Sequence, residues 1–434
     1  MSCFNLEISI FDNGERYPAL VGEDGMPHFH VTLWVTSRLR SKGCSQSTIT
    51  NKLYSIKKLL AWEESEQKDL FSQFQQGNFL KLNDIEKLKS FLSINIQLQK
   101  SAKRTQRNKI IQLGKISIQQ SSIPSNGNSH QYNTITSVKD YLVFLAELAT
   151  QFNSTIESNQ EIEKMEKMLK SSRPKSKSKS DTVINRNLSV PDGLLREFMR
   201  IAHYKHVKNP FKNEGVRFRN YLMFSLLENL GIRKGEMLSL TLTNMELYGP
   251  EKSIMVSRSH DDKYDNRKKQ PVAKTKERRL AISDSLAEEI NLYITKYRSK
   301  TAGSRKHPYI FVSHKPGNTQ GKPVSASSFD NTIMSAMRSV DERFSVIYPH
   351  YFRHDWNERF SALVDMKNFA SVHEGGKISP DKEAKMRKHQ MGHSLEMSGN
   401  VYNQRHITKK ANDLTLLDQQ ELKKNSKDSS RDEE

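Results

Sequence analysis

Cysteine is nearly absent: the 434 residues include two, Cys3 and Cys44. Two thiols cannot staple a small secreted scaffold, and no Cys pair has the close spacing of a structural zinc site. A reducing compartment, the bacterial cytoplasm, is the expectation. Long apolar runs are also missing. No stretch approaches the ~20 apolar residues a membrane helix needs, and mean hydropathy is −0.73. The first five residues carry no basic-then-apolar run, so no secretory signal is expected. No glycine-rich phosphate loop follows a strand pattern, and the repeated βαβ rhythm of a parallel α/β sheet is absent. Neither a nucleotide cofactor nor a metal is expected. Hydrophobic residues make up 35%. That is lean, yet the chain is long enough for two or three domains with real cores.

What is abundant is positive charge. Lys and Arg number 69 against 49 acidic residues, a net +20. Such an excess calls for a polyanion, and nucleic acid is the first choice because phosphate neutralisation supplies most non-specific affinity. No lysine-rich amphipathic helix with exposed aromatics points to a membrane instead.

The pattern along the chain is mainly α with a small antiparallel sheet. Residues 1–30 read as a short non-helical extension, with a strand hinted by Ile8, Ile10 and Phe11. Residues 31–169 read as a helical, basic domain. One helix starts near Leu33 and is closed by Gly43. The next is capped by Ser45 or Ser47 and carries Ile49, Leu53, Ile56, Leu59 and Leu60 at helical spacing. Further helices are expected over 84–94 and 137–150, with a loop over 119–131. Lys103, Arg104, Arg107 and Lys109 form a basic cluster suited to a phosphate backbone. Residues 170–181 read as a basic, serine-rich linker, where Arg173, Lys175, Lys177 and Lys179 could lie along DNA. Residues 182–410 then mix helices with short strands at 254–256 and 279–282. The tail, 411–434, has seven acidic and four basic residues, net −3, and only Leu414, Leu416 and Leu417 to bury.

Three local signatures stand out in the second half. In Gly231-Ile232-Arg233-Lys234-Gly235-Glu236 a glycine closes one helix, an arginine follows, and a new helix begins. Glu236 can reach back three residues and orient the Arg233 fork. In His350-Tyr351-Phe352-Arg353-His354 an imidazole and a guanidinium share one helical face, a poor core pair but a good anion site. In Met391-Gly392-His393-Ser394 a histidine follows a tight glycine, and Tyr402 comes nine residues later. Tyrosine can serve as a covalent nucleophile.

Taken in order, these motifs resemble the tyrosine recombinase, or phage-integrase, family over residues 183–408. The resemblance implies a helical core-binding domain followed by a catalytic domain. It makes Arg233, Lys274, His350, Arg353, His393 and Tyr402 the catalytic set, with Glu236 supporting Arg233. The lysine is expected in a β-hairpin ahead of a basic strand, and Ala273-Lys274-Thr275-Lys276-Glu277-Arg278-Arg279 fits; Lys276 is the alternative. Phe352 and Met391 stand where the family has aliphatic residues, and 371–381 looks inserted. The implied reaction is site-specific recombination of double-stranded DNA through a 3′-phosphotyrosyl link, integrating or excising a mobile element, without cofactor. The implied assembly is a tetramer on two DNA sites, with accessory proteins that bend DNA or set direction. A type IB topoisomerase-like enzyme and a catalytically silent DNA-binding protein are the alternatives.

Overall fold

The structure, a computed structural model, describes residues 4–94, 126–152, 155–175, 190–191, 193–370, 376–392, 411 and 415–416. The chain divides into two compact units, residues 1–11 with 16–179 and residues 12–15 with 180–434. Among the described residues both are mainly helical, each with one small antiparallel sheet. Among the described residues no helix is long and apolar enough to cross a membrane.

In the first unit the opening residues form a hairpin, β1 (Asn5–Ile10) with β2 (Arg16–Val21), in register Asn5↔Val21 to Ile10↔Arg16. Helix α1 (Phe29–Trp34) follows. It begins four residues before Leu33 because the His28 side chain accepts the Val31 N–H and caps it. It continues as a π-helical turn, Val35–Arg40. Ser45 caps α2 (Gln46–Ser65) through Thr48 N–H, and Asp69 caps α3 (Leu70–Gln75) through Ser72 N–H. Then come α4 (Leu82–Ser93), α5 (Asn128–Ala149) and α6 (Ile156–Ser171). Trp34, Leu53, Ile56, Leu59, Trp62, Phe74, Leu88, Val138, Tyr141, Leu142 and Met165 are buried together and make the core.

Three sequence expectations are corrected here. Helix α5 starts at Asn128 rather than 137, so the loop expected over 119–131 is helical at its end; residues 119–125 lie outside the described residues. Its first turns are polar and mostly exposed, so they carry no apolar period to read. Helices α3 and α6 were not expected. In α6 the buried stripe is only Ile162, Met165 and Leu169, thin against its charged faces. The same helix runs to Ser171, into the stretch read as linker.

The second unit opens with α7 (Leu194–Ala202) and α8 (Glu214–Leu230), then the short α9 (Lys234–Ser239). Strands β3 (Met245–Glu246), β4 (Ser253–Val256) and β5 (Arg278–Ala281) form an antiparallel sheet in that order, with Ser253↔Ala281 and Val256↔Arg278 paired. Helix α10 (Asp284–Leu292) continues as π-helical Tyr293–Arg298. Helices α11 (Ala326–Ser328) and α12 (Ser335–Arg338) are joined by π-helical Phe329–Met334. Helices α13 (Tyr351–Ala370) and α14 (Pro380–Met391) complete it.

Two packing features place the site. Phe352 is fully buried, 6.0 Å from Phe224 with rings nearly parallel and 5.9 Å from Phe198. This aromatic stack docks the first turn of α13 on α8. It also explains how an aromatic residue is accommodated at this position. The long connection between β4 and β5 is anchored by a buried pair, Arg267 with Asp265 at 2.8 Å. Arg267 also donates to the carbonyls of Leu238 (3.0 Å) and Val324 (2.9 Å). A buried ion pair of this kind is held by its added hydrogen bonds.

Candidate active site

Gly231 closes α8 in the left-handed conformation, φ +58°, and donates its N–H to Leu227 O. A Cβ there would sit 2.7 Å from Trp356 Cγ, so the sharp exit needs glycine. Two residues on, Arg233 is the N-cap of α9 in extended conformation. Glu236 accepts the Arg233 backbone N–H at 3.1 Å and faces its Nη1 at 3.4 Å. Arg233 keeps 29% of its side chain exposed, whereas Glu236 keeps 1%. The pair therefore holds a surface guanidinium on a buried post.

Glu236 has further partners. Thr275 Oγ1 donates to its Oε1 at 2.7 Å, and Arg278 Nη2 to its Oε2 at 2.8 Å. Burial pushes the Glu236 carboxyl upward. The Arg278 charge and hydrogen bond, the Thr275 hydroxyl and the Arg353 charge outweigh it, so the group stays below its ordinary range and ionised.

The lysine segment departs from expectation. Strand β5 starts at Arg278, and Lys274 and Lys276 precede the ladder rather than standing in it. Ala273, Thr275 and Arg278 are buried while Lys274 and Lys276 are exposed, so both lysines point away from the core. The segment lies against α9: a Cβ on Gly235 would come 3.2 Å from Val272 O.

His350 stands just before α13, and its carbonyl accepts the N–H groups of Arg353 (3.2 Å) and His354 (3.3 Å). Its ring meets His354 edge-on, centroids 5.0 Å apart. Arg353 is fully buried; Nη1 donates to Gly231 O at 2.8 Å and Nη2 to Met391 O at 2.7 Å. One guanidinium thus ties the end of α8 to the end of α14. Asn357, one turn on, donates to Arg353 O at 2.7 Å and accepts from Arg387 Nη1 at 3.2 Å. Arg387 in turn donates to Ser361 Oγ at 2.8 Å and pairs with Glu383. Helix α14 ends at Gly392 in the left-handed conformation, whose O accepts Lys276 N–H at 3.2 Å.

The fold therefore brings Arg233, Glu236, His350 and Arg353 to one place, with the lysine segment beside them. His393, which follows Gly392, and Tyr402 lie outside the described residues. So do Lys103, Arg104, Arg107, Lys109, Lys177 and Lys179. Arg173 is half-buried on its own unit, donating to Lys170 O at 3.0 Å with its guanidinium 4.8 Å from the Tyr132 ring centroid. Lys175 is exposed. Sequence reading missed Thr275, Arg278, Asn357 and Arg387; Thr275 and Arg278 lie some 40 residues from Glu236, and Arg387 lies 30 from Asn357, so no local spacing links them. It also missed a polar concavity of about 890 Å³ between α2 and α5, lined by Asn51, Lys52, Tyr54, Lys58, His130 and Asn133.

Burial, then the positive charges of Arg353 and Arg233, lowers the His350 pKa from 6.5 to about 4. The imidazole is neutral at pH 7 and can accept a proton. Between these two values the unfolded chain binds more protons than the folded one, so stability rises with pH there. The contribution is complete above pH 6.5 and is lost as pH falls toward 4, by about 3 kcal/mol at most. His350→Gln is expected to flatten this part of the profile, read as urea midpoints from pH 4 to 7. Identical wild-type and variant profiles would contradict the assignment.

The partly exposed Arg233 guanidinium and the neutral His350 imidazole, with the fully buried Arg353 adding positive charge, make a place suited to an anion such as a phosphodiester. Residues 197–362 match the model described as "Phage integrase family". That stretch, which contains Arg233, Glu236, His350 and Arg353, is similar in sequence to the phage-integrase family. No curated protein matches it in sequence. Among solved structures, a XerA recombinase is 16% identical, with 86% of this chain and 92% of that one covered and a TM-score of 0.29. A XerH site-specific recombinase bound to palindromic difH substrate, a post-cleavage complex, is 11% identical, with 90% and 94% covered and a TM-score of 0.40.

Proposed function

We propose that the second unit cleaves one DNA strand with Tyr402 and passes it to a new partner. Arg233 and Arg353 clamp the non-bridging oxygens of the scissile phosphate, and His393 adds a hydrogen bond. Tyr402 Oη attacks phosphorus, leaving a 3′-phosphotyrosyl link and a free 5′-hydroxyl. Lys274, or Lys276 in its stead, protonates the leaving oxygen. His350, neutral at pH 7, takes the proton from Tyr402 or assists the reverse step. Glu236 orients Arg233. The link conserves the phosphodiester bond energy, so a 5′-hydroxyl from a second duplex can rejoin it. The observation that carries this reading is the convergence of Arg233, His350 and Arg353 around the end of α8.

The first unit, read as the core-binding domain over 31–169, contacts the duplex through basic residues. Lys103, Arg104, Arg107 and Lys109 are the first choice, with the linker cations Arg173, Lys175, Lys177 and Lys179 along the backbone. The biological reaction on this reading is integration or excision of a mobile element in the bacterial cytoplasm, by a tetramer on two sites with accessory DNA-bending or directionality proteins.

The test begins with duplexes of randomised core sequence. Species that become covalently linked to the wild-type protein are recovered after denaturation and sequenced. A nicked duplex built on the selected site is expected to give a 3′ adduct, and two labelled duplexes a joint molecule. Adduct and relaxation of supercoiled DNA without joint molecules would favour the topoisomerase-like reading. Duplex binding with no adduct would favour the silent one.

A further inference from the structure

Strand β5 contributes a buried arginine to which the sequence reading assigned no role. Arg278 is 4% exposed, and its guanidinium meets three separate segments. Nη2 donates to Glu236 Oε2 at 2.8 Å, on the helix that carries Arg233. Nη1 donates to Thr275 Oγ1 at 2.9 Å, between Lys274 and Lys276. Nε donates to Gln390 O at 2.7 Å, in the last turn of α14. Thr275 closes a triangle by donating to Glu236 Oε1 at 2.7 Å. Backbone pairing repeats the link to α14, since Lys276 N–H donates to Gly392 O. The fit leaves no slack: a Cβ on Gly392 would stand 2.8 Å from both Arg278 Nη1 and Thr275 Cβ.

The geometry points to Arg278 as a positioning residue that sets the lysine segment against the Arg233 site and the end of α14. Three chain segments distant in sequence share one planar fork. A fork fixes relative orientation as well as distance, which a lysine ammonium cannot do. Its removal would also leave Glu236 buried without its strongest partner. Arg278 touches no reacting atom on this account. It acts through the lysine, whose task is to protonate the departing 5′-oxygen as the Oη–P bond forms and the P–O5′ bond breaks.

The inference rests on the cleavage reading above, and the assay separates the two. The full-length protein is given the selected nicked duplex in two forms, with oxygen or with sulfur at the bridging 5′ position. A thiolate leaves without a proton, so the sulfur form does not need the acid. Arg278→Lys is expected to lower the single-turnover cleavage rate on the oxygen form about 10- to 100-fold. Duplex affinity should stay within a factor of about two, because phosphate contacts elsewhere carry binding. On the sulfur form most of the loss should be recovered. An equal loss on both forms, or no loss on either, would overturn the proposal. Thr275→Val, which removes only the bridging hydroxyl, runs in parallel and decides the matter by the same comparison if Arg278→Lys does not fold. Absence of any adduct from the wild-type protein would instead count against the cleavage reading itself.

Discussion

Tyr402→Phe binds the selected duplex with wild-type affinity and forms no covalent adduct: this is the expected result of the most decisive substitution. The change removes one oxygen and leaves the ring. No phosphate clamp is touched, so binding and fold should persist. Nucleophilic attack, however, has no atom to start from. Water could still attack the clamped phosphodiester, but it would give a hydrolysed strand rather than a protein-linked one, and the covalent route cannot be partly rescued. Loss beyond about 10³-fold in adduct formation is expected. Denaturing gels of both proteins on the nicked duplex read it directly. A protein-linked strand formed by Tyr402→Phe would remove Tyr402 from the role of nucleophile.

Arg353→Ala should be nearly as severe, for two separable reasons. The guanidinium is fully buried and bonded to Gly231 O and Met391 O. Truncation leaves two buried carbonyls without that partner, at about 1–3 kcal/mol each. It also removes a fully buried side chain and leaves a void in its place. The unfolding midpoint in urea should drop accordingly. The catalytic loss has a different origin. Removing one donor aimed at developing oxyanion charge costs about 10²–10³ in rate. Arg353→Lys separates the two effects. The ammonium keeps the positive charge but cannot bond two carbonyls with one planar group. Its cleavage rate should therefore fall about 10²-fold while the fold is better retained. Single-turnover cleavage and urea unfolding measured on both variants test this. A folded Arg353→Ala that cleaves at the wild-type rate would refute the oxyanion role.

How much of this was legible in the sequence depends on chain separation. Arg233 and Glu236 are three residues apart, and so are His350 and Arg353. A helical turn turns that spacing into proximity whatever the rest of the chain does. Gly231 could be read as a helix end because few other residues tolerate its backbone conformation. Arg278 could not be read in the same way. It stands in a run of basic residues, and nothing local distinguishes a buried guanidinium from the exposed Arg279 beside it. Only strand register decides: Arg278 pairs with Val256 and faces inward, and its neighbour faces out. Thr275 is buried as well, but it precedes the strand and lies three residues from Arg278, so its packing against Glu236 rather than strand alternation turns it inward and leaves Lys274 and Lys276 exposed. Helices α3 and α6 escaped for a related reason, since their apolar stripes are too thin to dominate composition.

The proposed chemistry was argued from residue types and short spacings: a basic excess suited to DNA, arginines and histidines suited to an anion, and a tyrosine nine residues after His393. These are local properties, and each survives without knowledge of the fold. What tertiary structure alone decided is which groups support those side chains. Glu236 gains Thr275 and Arg278 from some 40 residues away, and Arg353 gains the carbonyls of Gly231 and Met391 from the ends of two other helices. Such partners are chosen by packing, because a buried polar group takes whatever donor or acceptor the folded chain delivers to it.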